Sequence, residues 1–124
     1  MRRVWIARHG HREDFVGDQP GGDWHLTAAR PHDPGLSPLG LAQGRALGRR
    51  LADEARLAHI FASPFLRAIQ TAHAVAEATG LTVKIEDGLG EWLNPVWFKT
   101  PVGRGKPADL LAVRNCPRGS RGWT

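Results

Sequence analysis

An α/β fold, a three-layer α/β/α sandwich around a mostly parallel sheet, follows from three features of this 124-residue sequence. Short apolar runs suited to buried strands stand at 3–7, 59–63 and 81–85. Two longer stretches, 38–56 and 65–79, carry apolar residues at helical spacing. The two kinds alternate as strand, helix, strand, helix, strand, the order that lays parallel strands against helices.

The run RVWIA at 3–7 is closed by polar residues on both sides, as a buried first strand requires. Residues 11–36 keep no sustained period and hold Pro20, Gly21, Gly22, Pro31 and Pro34, so a long excursion is expected there. Excursions of that length in a small domain are commonly functional. Ser37 and Pro38 then offer a helix cap and a first-turn proline, and Leu39, Ala42, Ala46, Leu47 and Leu51 share a face. Gly40, Gly44 and Gly48 recur every fourth residue, which would let this helix lie close against a sheet. After the HIFAS strand, Ser63 and Pro64 repeat the cap and first-turn device. They precede a helix whose apolar stripe is Phe65, Ala68, Ile69, Ala72, Val75 and Ala76, with Gly80 as its stop. LTVKI at 81–85 supplies the third strand.

Composition narrows the possible roles. With 41% hydrophobic and 23% charged residues the chain has the makings of one globular core rather than a disordered coil. The net charge of +5 is concentrated at the end: residues 1–99 hold 12 Lys/Arg against 11 Asp/Glu, and residues 100–124 hold 5 against 1. That distribution argues for a domain at 1–99 and a basic, poorly ordered Gly/Pro/Arg-rich tail at 100–124, and against a nucleic-acid surface. No apolar stretch approaches a membrane span or a signal peptide, so neither membrane nor secretion is expected and a cytoplasmic protein is. The single cysteine, Cys116, excludes an internal disulfide.

Open α/β sheets bind ligands beyond the carboxyl ends of their strands. The stretch ARHGHRED leaves the first strand there, and ASPFLRA leaves the second and enters a helix N-terminus that favours an anion. Together they supply Arg8, Arg12, Arg67, His9 and His11. Guanidinium forks bind phosphate oxygens bidentately and a neutral imidazole nitrogen can attack phosphorus, so a phosphate site is inferred.

Four motifs in order, Arg8-His9-Gly10, LSPLGLAQ, SPFLRAIQTA and GLGEWL, resemble the histidine phosphatase superfamily, the phosphoglycerate mutase-like proteins, over roughly residues 3–97. RHGHRED resembles the phosphatase branch more than the mutases. The resemblance implies a phosphoric monoester hydrolase that works through a phosphohistidine. His9 would be the nucleophile, Glu91 the acid for the leaving oxygen, and Arg8, Arg12 and Arg67 the phosphate ligands. Neither metal nor cofactor is implied. The partner would be a phosphorylated small molecule or a phosphoprotein, with Trp92, Trp97, Phe98 and the 11–36 excursion shaping the leaving-group side. The family also supplies a second histidine late in the chain, and no histidine follows His73 here. The resemblance therefore implies a C-terminally incomplete chain, through truncation or a frame change near residue 100, or an inactive phosphate-binding or regulatory relative.

Plainer roles exist for the same residues. The arginines could pair with Glu13, Asp14 and Asp33 on the surface, and Glu91 could belong to a turn before Trp92. His11 could line the site or be solvated, while His25, His32, His59 and His73 suit surface or packing roles. A zinc site from His9 and His11 with Asp14, His25 or His32 is a different enzyme class, but flanking arginines make it a poor host for a dication.

Overall fold

The computed structural model describes residues 3–16 and 19–91. The tail at 100–124, Trp92, Trp97 and Phe98 lie outside the described residues. The element order is β1 (Phe15–Val16), β2 (Gln19–Pro20), α1 (Trp24–Thr27), α2 (Pro38–Glu54), β3 (Ile60–Ala62), α3 (Leu66–Thr79) and β4 (Val83–Ile85), then a 3-10 turn at Asp87–Leu89. β3 and β4 run parallel, with Ile60 opposite Val83 and Ala62 opposite Ile85. α3 is the crossover between them, so the α/β architecture with a parallel sheet holds. No helix among the described residues is long and apolar enough to cross a membrane.

The core gathers where the two long helices meet the sheet. Leu51 of α2, Ile60 and Ala62 of β3, and Ala72, Val75 and Ala76 of α3 are buried together, with Leu47, Leu57, Leu81, Val83 and Ile85 packed around them. α3 follows its apolar stripe and ends at Gly80, whose φ of 73° is the left-handed conformation that releases the chain into β4. α2 starts as expected: Ser37 Oγ accepts from the Gly40 N–H at 3.1 Å, with Pro38 in the first turn.

Three local expectations are corrected. Residues 3–7 form no strand among the described residues, and Val4 and Ile6 are 85% and 94% exposed. A strand exists only through a neighbour's ladder of hydrogen bonds, and no described strand is paired with this run. Ser63 does not cap α3, whose N-cap is Phe65 without a side-chain bond. The Leu66 N–H in its first turn is instead taken by Asp33 Oδ1 at 2.8 Å. Finally, Leu39, Ala42 and Ala46 face solvent, and the buried side of α2 is Gly40, Gly44, Gly48 and Leu51. The glycine stripe meets a helix and a loop rather than the sheet. A Cβ at Gly48 would come within 2.6 Å of the Ala74 carbonyl oxygen, and one at Gly40 would run into the His11 carbonyl.

That contact carries a prediction. Alanine at 48 would gain up to about 1 kcal/mol of helix propensity, but the obstacle is α3 backbone, and overpacking costs about 1–3 kcal/mol. Gly48→Ala is expected to lower the urea midpoint. Gly44→Ala, whose nearest obstacle is the Ala74 methyl at 3.3 Å, should change it little. Equal midpoints for the two variants would count against close α2–α3 packing at Gly48.

The 11–36 excursion is more ordered than its sequence implies. β1 and β2 form a small antiparallel hairpin, and α1 is a single short turn of helix. Arg12 and Leu36 form an antiparallel bridge that closes the excursion at its base. The Glu13 N–H donates to the Gly35 carbonyl at 3.0 Å, and the Gly35 N–H donates to Glu13 Oε1 at 2.8 Å.

Candidate active site

The Arg8-His9-Gly10 segment is held from three sides. The Gly10 N–H donates to Thr71 Oγ1 on α3 at 3.1 Å, and the His11 N–H donates to Gln43 Oε1 on α2 at 2.8 Å. The Ser37 N–H reaches the His11 carbonyl at 2.9 Å. Gly10 faces α2 so closely that a Cβ there would stand 2.6 Å from the Gly40 carbonyl oxygen. Its missing side chain thus serves contact with Gly40. Ala7, Arg8, His9 and Gly10, with Gln43, Leu47 and Thr71, line an open cleft of about 390 Å³.

His9 Nδ1 lies 2.7 Å from the Gly10 carbonyl oxygen. A carbonyl can only accept, so Nδ1 carries the proton and Nε2 keeps its lone pair. Burial is the main force pushing the His9 pKa below the ordinary imidazole value of 6.5; the Gly10 hydrogen bond opposes it, and the charges of Arg67, Arg8 and Arg12 add to the lowering. The neutral ring therefore persists below pH 6.5.

Two consequences follow for pH. The acid limb of kcat/KM for a phosphate ester should fall at a pH below 6.5 if it reports His9. For stability, the unfolded chain binds the proton first as pH drops, so His9's contribution is complete above 6.5. It is lost as pH falls below 6.5 through the lowered folded value. A pH titration of the His9 ring by NMR, run beside melting curves, checks both; a His9 midpoint above 6.5 would contradict them.

Arg67 is buried, its side chain only 4% exposed, at the start of α3. Its Nη2 donates to Glu91 Oε1 at 2.8 Å, its Nη1 stands 4.0 Å from Asp33 Oδ1, and its guanidinium lies 4.5 Å from the centre of the Phe65 ring. The two residues expected to hold phosphate and to serve as acid are thus paired with each other. Glu91 remains open to solvent at 59% exposure. Arg12 is tied to Asp14 by two hydrogen bonds, of 2.8 and 2.6 Å, and lies 4.7 Å over the Phe15 ring. It stays near enough to act on His9. Arg8 is exposed at the cleft. Of the three carboxylates named for the plainer role of the arginines, Asp14 holds Arg12 and Asp33 stands 4.0 Å from Arg67, whereas Glu13 accepts from the Gly35 N–H and the hydrogen bond of Arg67 goes to Glu91.

His11 does not line the cleft described above. Its Nδ1 is 2.7 Å from Ser37 Oγ and its ring meets Phe15 edge-on. His73 faces Glu77 along α3, and His59 lies against Lys84. Among the described residues no group of three or more His, Cys, Asp or Glu side chains is arranged to hold a metal ion.

Sequence reasoning passed over Gln43, Gln70 and Thr71. Gln70 Oε1 accepts from the Leu36 N–H at 2.7 Å, fastening the end of the excursion to α3. Thr71 is buried within the apolar stripe of α3. Polar side chains on or beside a buried helix face need partners, which was the available signal.

Comparison with known proteins identifies the family of the chain. The sequence profile of the Histidine phosphatase superfamily (branch 1) matches residues 4–102. The transcription factor tau 55 kDa subunit of Saccharomyces cerevisiae is 33% identical over 96 residues, covering 77% of this chain and 22% of that protein. The ecdysteroid-phosphate phosphatase of Drosophila melanogaster is 27% identical over 128 residues, covering 82% and 17%. The human ubiquitin-associated and SH3 domain-containing protein A is 39% identical over 119 residues, covering 73% and 18%. This chain therefore spans about a fifth of the length of these curated relatives. Among solved structures, the ecdysone phosphate phosphatase of Bombyx mori, in complex with tungstate, shares the fold. It has a TM-score of 0.53 and 24% identity, covering 69% of this chain and 43% of that one.

Proposed function

The chain belongs to the histidine phosphatase superfamily (branch 1), and from that premise we propose that it is a phosphoric monoester hydrolase with His9 as its nucleophile. The observation that carries the reading is the His9 ring, whose Nδ1 is held by the Gly10 carbonyl so that Nε2 keeps its lone pair, in a cleft that also holds Arg8 and close enough to Arg67 and Arg12 for their charges to act on it.

In the first step the Nε2 lone pair forms a bond to phosphorus as the bond from phosphorus to the leaving oxygen breaks. Glu91 delivers a proton to that oxygen, so that an alcohol departs rather than an alkoxide. In the second step water attacks phosphorus, passes a proton to the Glu91 carboxylate, and the phosphorus–nitrogen bond breaks to restore the imidazole. Charge spreads over the phosphoryl oxygens in a loose transition state, where guanidinium groups are most effective. Arg8 and Arg67 are the principal ligands in this reading and Arg12 a third. Glu91 sits on the Arg67 arm that phosphate would take. Phosphate binding would displace Glu91 from that arm and free it for proton transfer.

The substrate in this reading is a phosphorylated small molecule or a phosphoprotein. The name of the Drosophila relative, an ecdysteroid-phosphate phosphatase, supports the reaction class. A second reading, phosphate binding without turnover, draws support from the yeast relative, named as a transcription factor subunit. One experiment separates them: hydrolysis of p-nitrophenyl phosphate with and without chelator, alongside calorimetry with inorganic phosphate. Chelator-resistant turnover supports the hydrolase. Phosphate binding with no turnover supports the binding protein, and turnover abolished by chelator overturns both.

A further inference from the structure

We propose that Thr71 is a positioning residue that sets the orientation of the His9 ring from the helix carrying Arg67. This rests on the reading of His9 as the nucleophile. Three hydrogen bonds run in series. The Thr71 hydroxyl donates to the Arg67 carbonyl at 2.8 Å, and the same oxygen accepts the Gly10 N–H at 3.1 Å. The Gly10 carbonyl then accepts the His9 Nδ1 proton at 2.7 Å. Arg67 and His9 are 58 positions apart in the chain, and this series joins the backbone of one to the ring of the other.

The geometry leaves Thr71 little freedom. It is 7% exposed, and its hydroxyl uses its one proton on Arg67, so only its lone pairs face Gly10. Gly10 is also confined by Gly40, which leaves this residue between α2 and α3. The Gly10 N–H lies in the His9–Gly10 peptide, which Thr71 holds, and the Gly10 carbonyl lies in the next one, whose His11 N–H donates to Gln43 Oε1 at 2.8 Å. With Gly40 pressed against the glycine that joins the two planes, the plane fixed by Thr71 acts with the one fixed by Gln43 to set where the carbonyl points, hence which ring nitrogen of His9 holds the proton and where Nε2 is aimed. Thr71 also lines the cleft with His9 and Arg8, so the tether lies at the site itself. Without the hydroxyl, the Gly10 N–H would lose its partner and the His9–Gly10 peptide could rotate, turning the His9 backbone relative to the Gly10 carbonyl that holds its ring. A nucleophile displaced by about 1 Å can lose about a hundredfold in rate.

The test uses the full chain and two variants. Thr71→Val keeps the shape and removes the hydroxyl; Thr71→Ser keeps the hydroxyl. Thr71→Val is expected to lower kcat for p-nitrophenyl phosphate by about 10- to 100-fold with KM changed less than about threefold. Thr71→Ser should stay within about threefold of the parent. The decisive readout is independent of turnover: nitrogen NMR of the His9 ring should show the Nδ1–H tautomer in the parent and Thr71→Ser, and a tautomer mixture in Thr71→Val. Failure of the parent to hydrolyse any ester would sink the hydrolase reading alone, because the tautomer measurement still decides the relay. A Thr71→Val protein that melts lower yet keeps the parent tautomer shows a purely structural threonine and overturns the proposal.

Discussion

Replacing His9 with alanine is expected to reduce phosphate ester turnover by about 10⁴-fold or more, the scale on which a covalent nucleophile is lost. The variant should also fail to acquire acid-labile phosphate from a labelled ester. The ring that disappears has its Nδ1 committed to the Gly10 carbonyl, which leaves the Nε2 lone pair available, and it feels the charges of Arg67, Arg8 and Arg12. No other histidine in the described residues has that arrangement. His11 is bonded to Ser37 and packed on Phe15, and His73 faces Glu77. His11→Ala should therefore keep the label, with some loss of stability from the Ser37 contact. Label that persists in His9→Ala and vanishes in His11→Ala would reassign the nucleophile.

The contrast between His9 and α3's N-terminus shows how far the sequence could be read. Arg8-His9-Gly10 was legible as a loop because a short apolar run, a glycine and clustered cations are local signals. Ser37 was legible as a cap because its reach is only three residues, to the Gly40 N–H. Ser63 carried the same signal and was misread, since the corresponding duty falls to Asp33, 33 residues upstream of Leu66. No local pattern reveals a partner at that distance. Periodicity misjudged α2 for a related reason. It selects large apolar side chains such as Leu39, whereas close helix packing selects absent ones, and the buried stripe is glycine. The 3–7 run had the composition of a strand but no described strand pairs with it to make it one.

The Arg67–Glu91 pair leads to a second large effect, in which two substitutions move phosphate affinity in opposite directions. Arg67→Ala is expected to lower turnover by about 10²- to 10³-fold, as loss of a charged group facing the transition state does. It should also weaken inorganic phosphate strongly. Some stability should go with it, because Arg67 is buried and its removal leaves the half-buried Asp33 facing one cation fewer. That loss is moderated because Asp33 keeps Arg30 and the Leu66 N–H. Glu91→Gln acts on the other side of the same bond. Glu91 occupies Arg67 Nη2, which phosphate must win from it. Glu91 is mostly exposed, so the pair is screened and worth no more than about 1 kcal/mol, equivalent to about fivefold in affinity. Glu91→Gln should thus bind inorganic phosphate about two- to fivefold more tightly. The same variant should slow alkyl phosphates, whose leaving oxygen needs a proton, far more than aryl phosphates, which leave readily without one. Calorimetry and a leaving-group series measure the two effects separately. Tighter phosphate binding with a steeper dependence on leaving group is the signature of an acid that shares its resting place with the substrate. If Glu91→Gln bound phosphate more weakly and slowed both ester classes alike, Glu91 would be a support for Arg67 and the proton would have to come from another group.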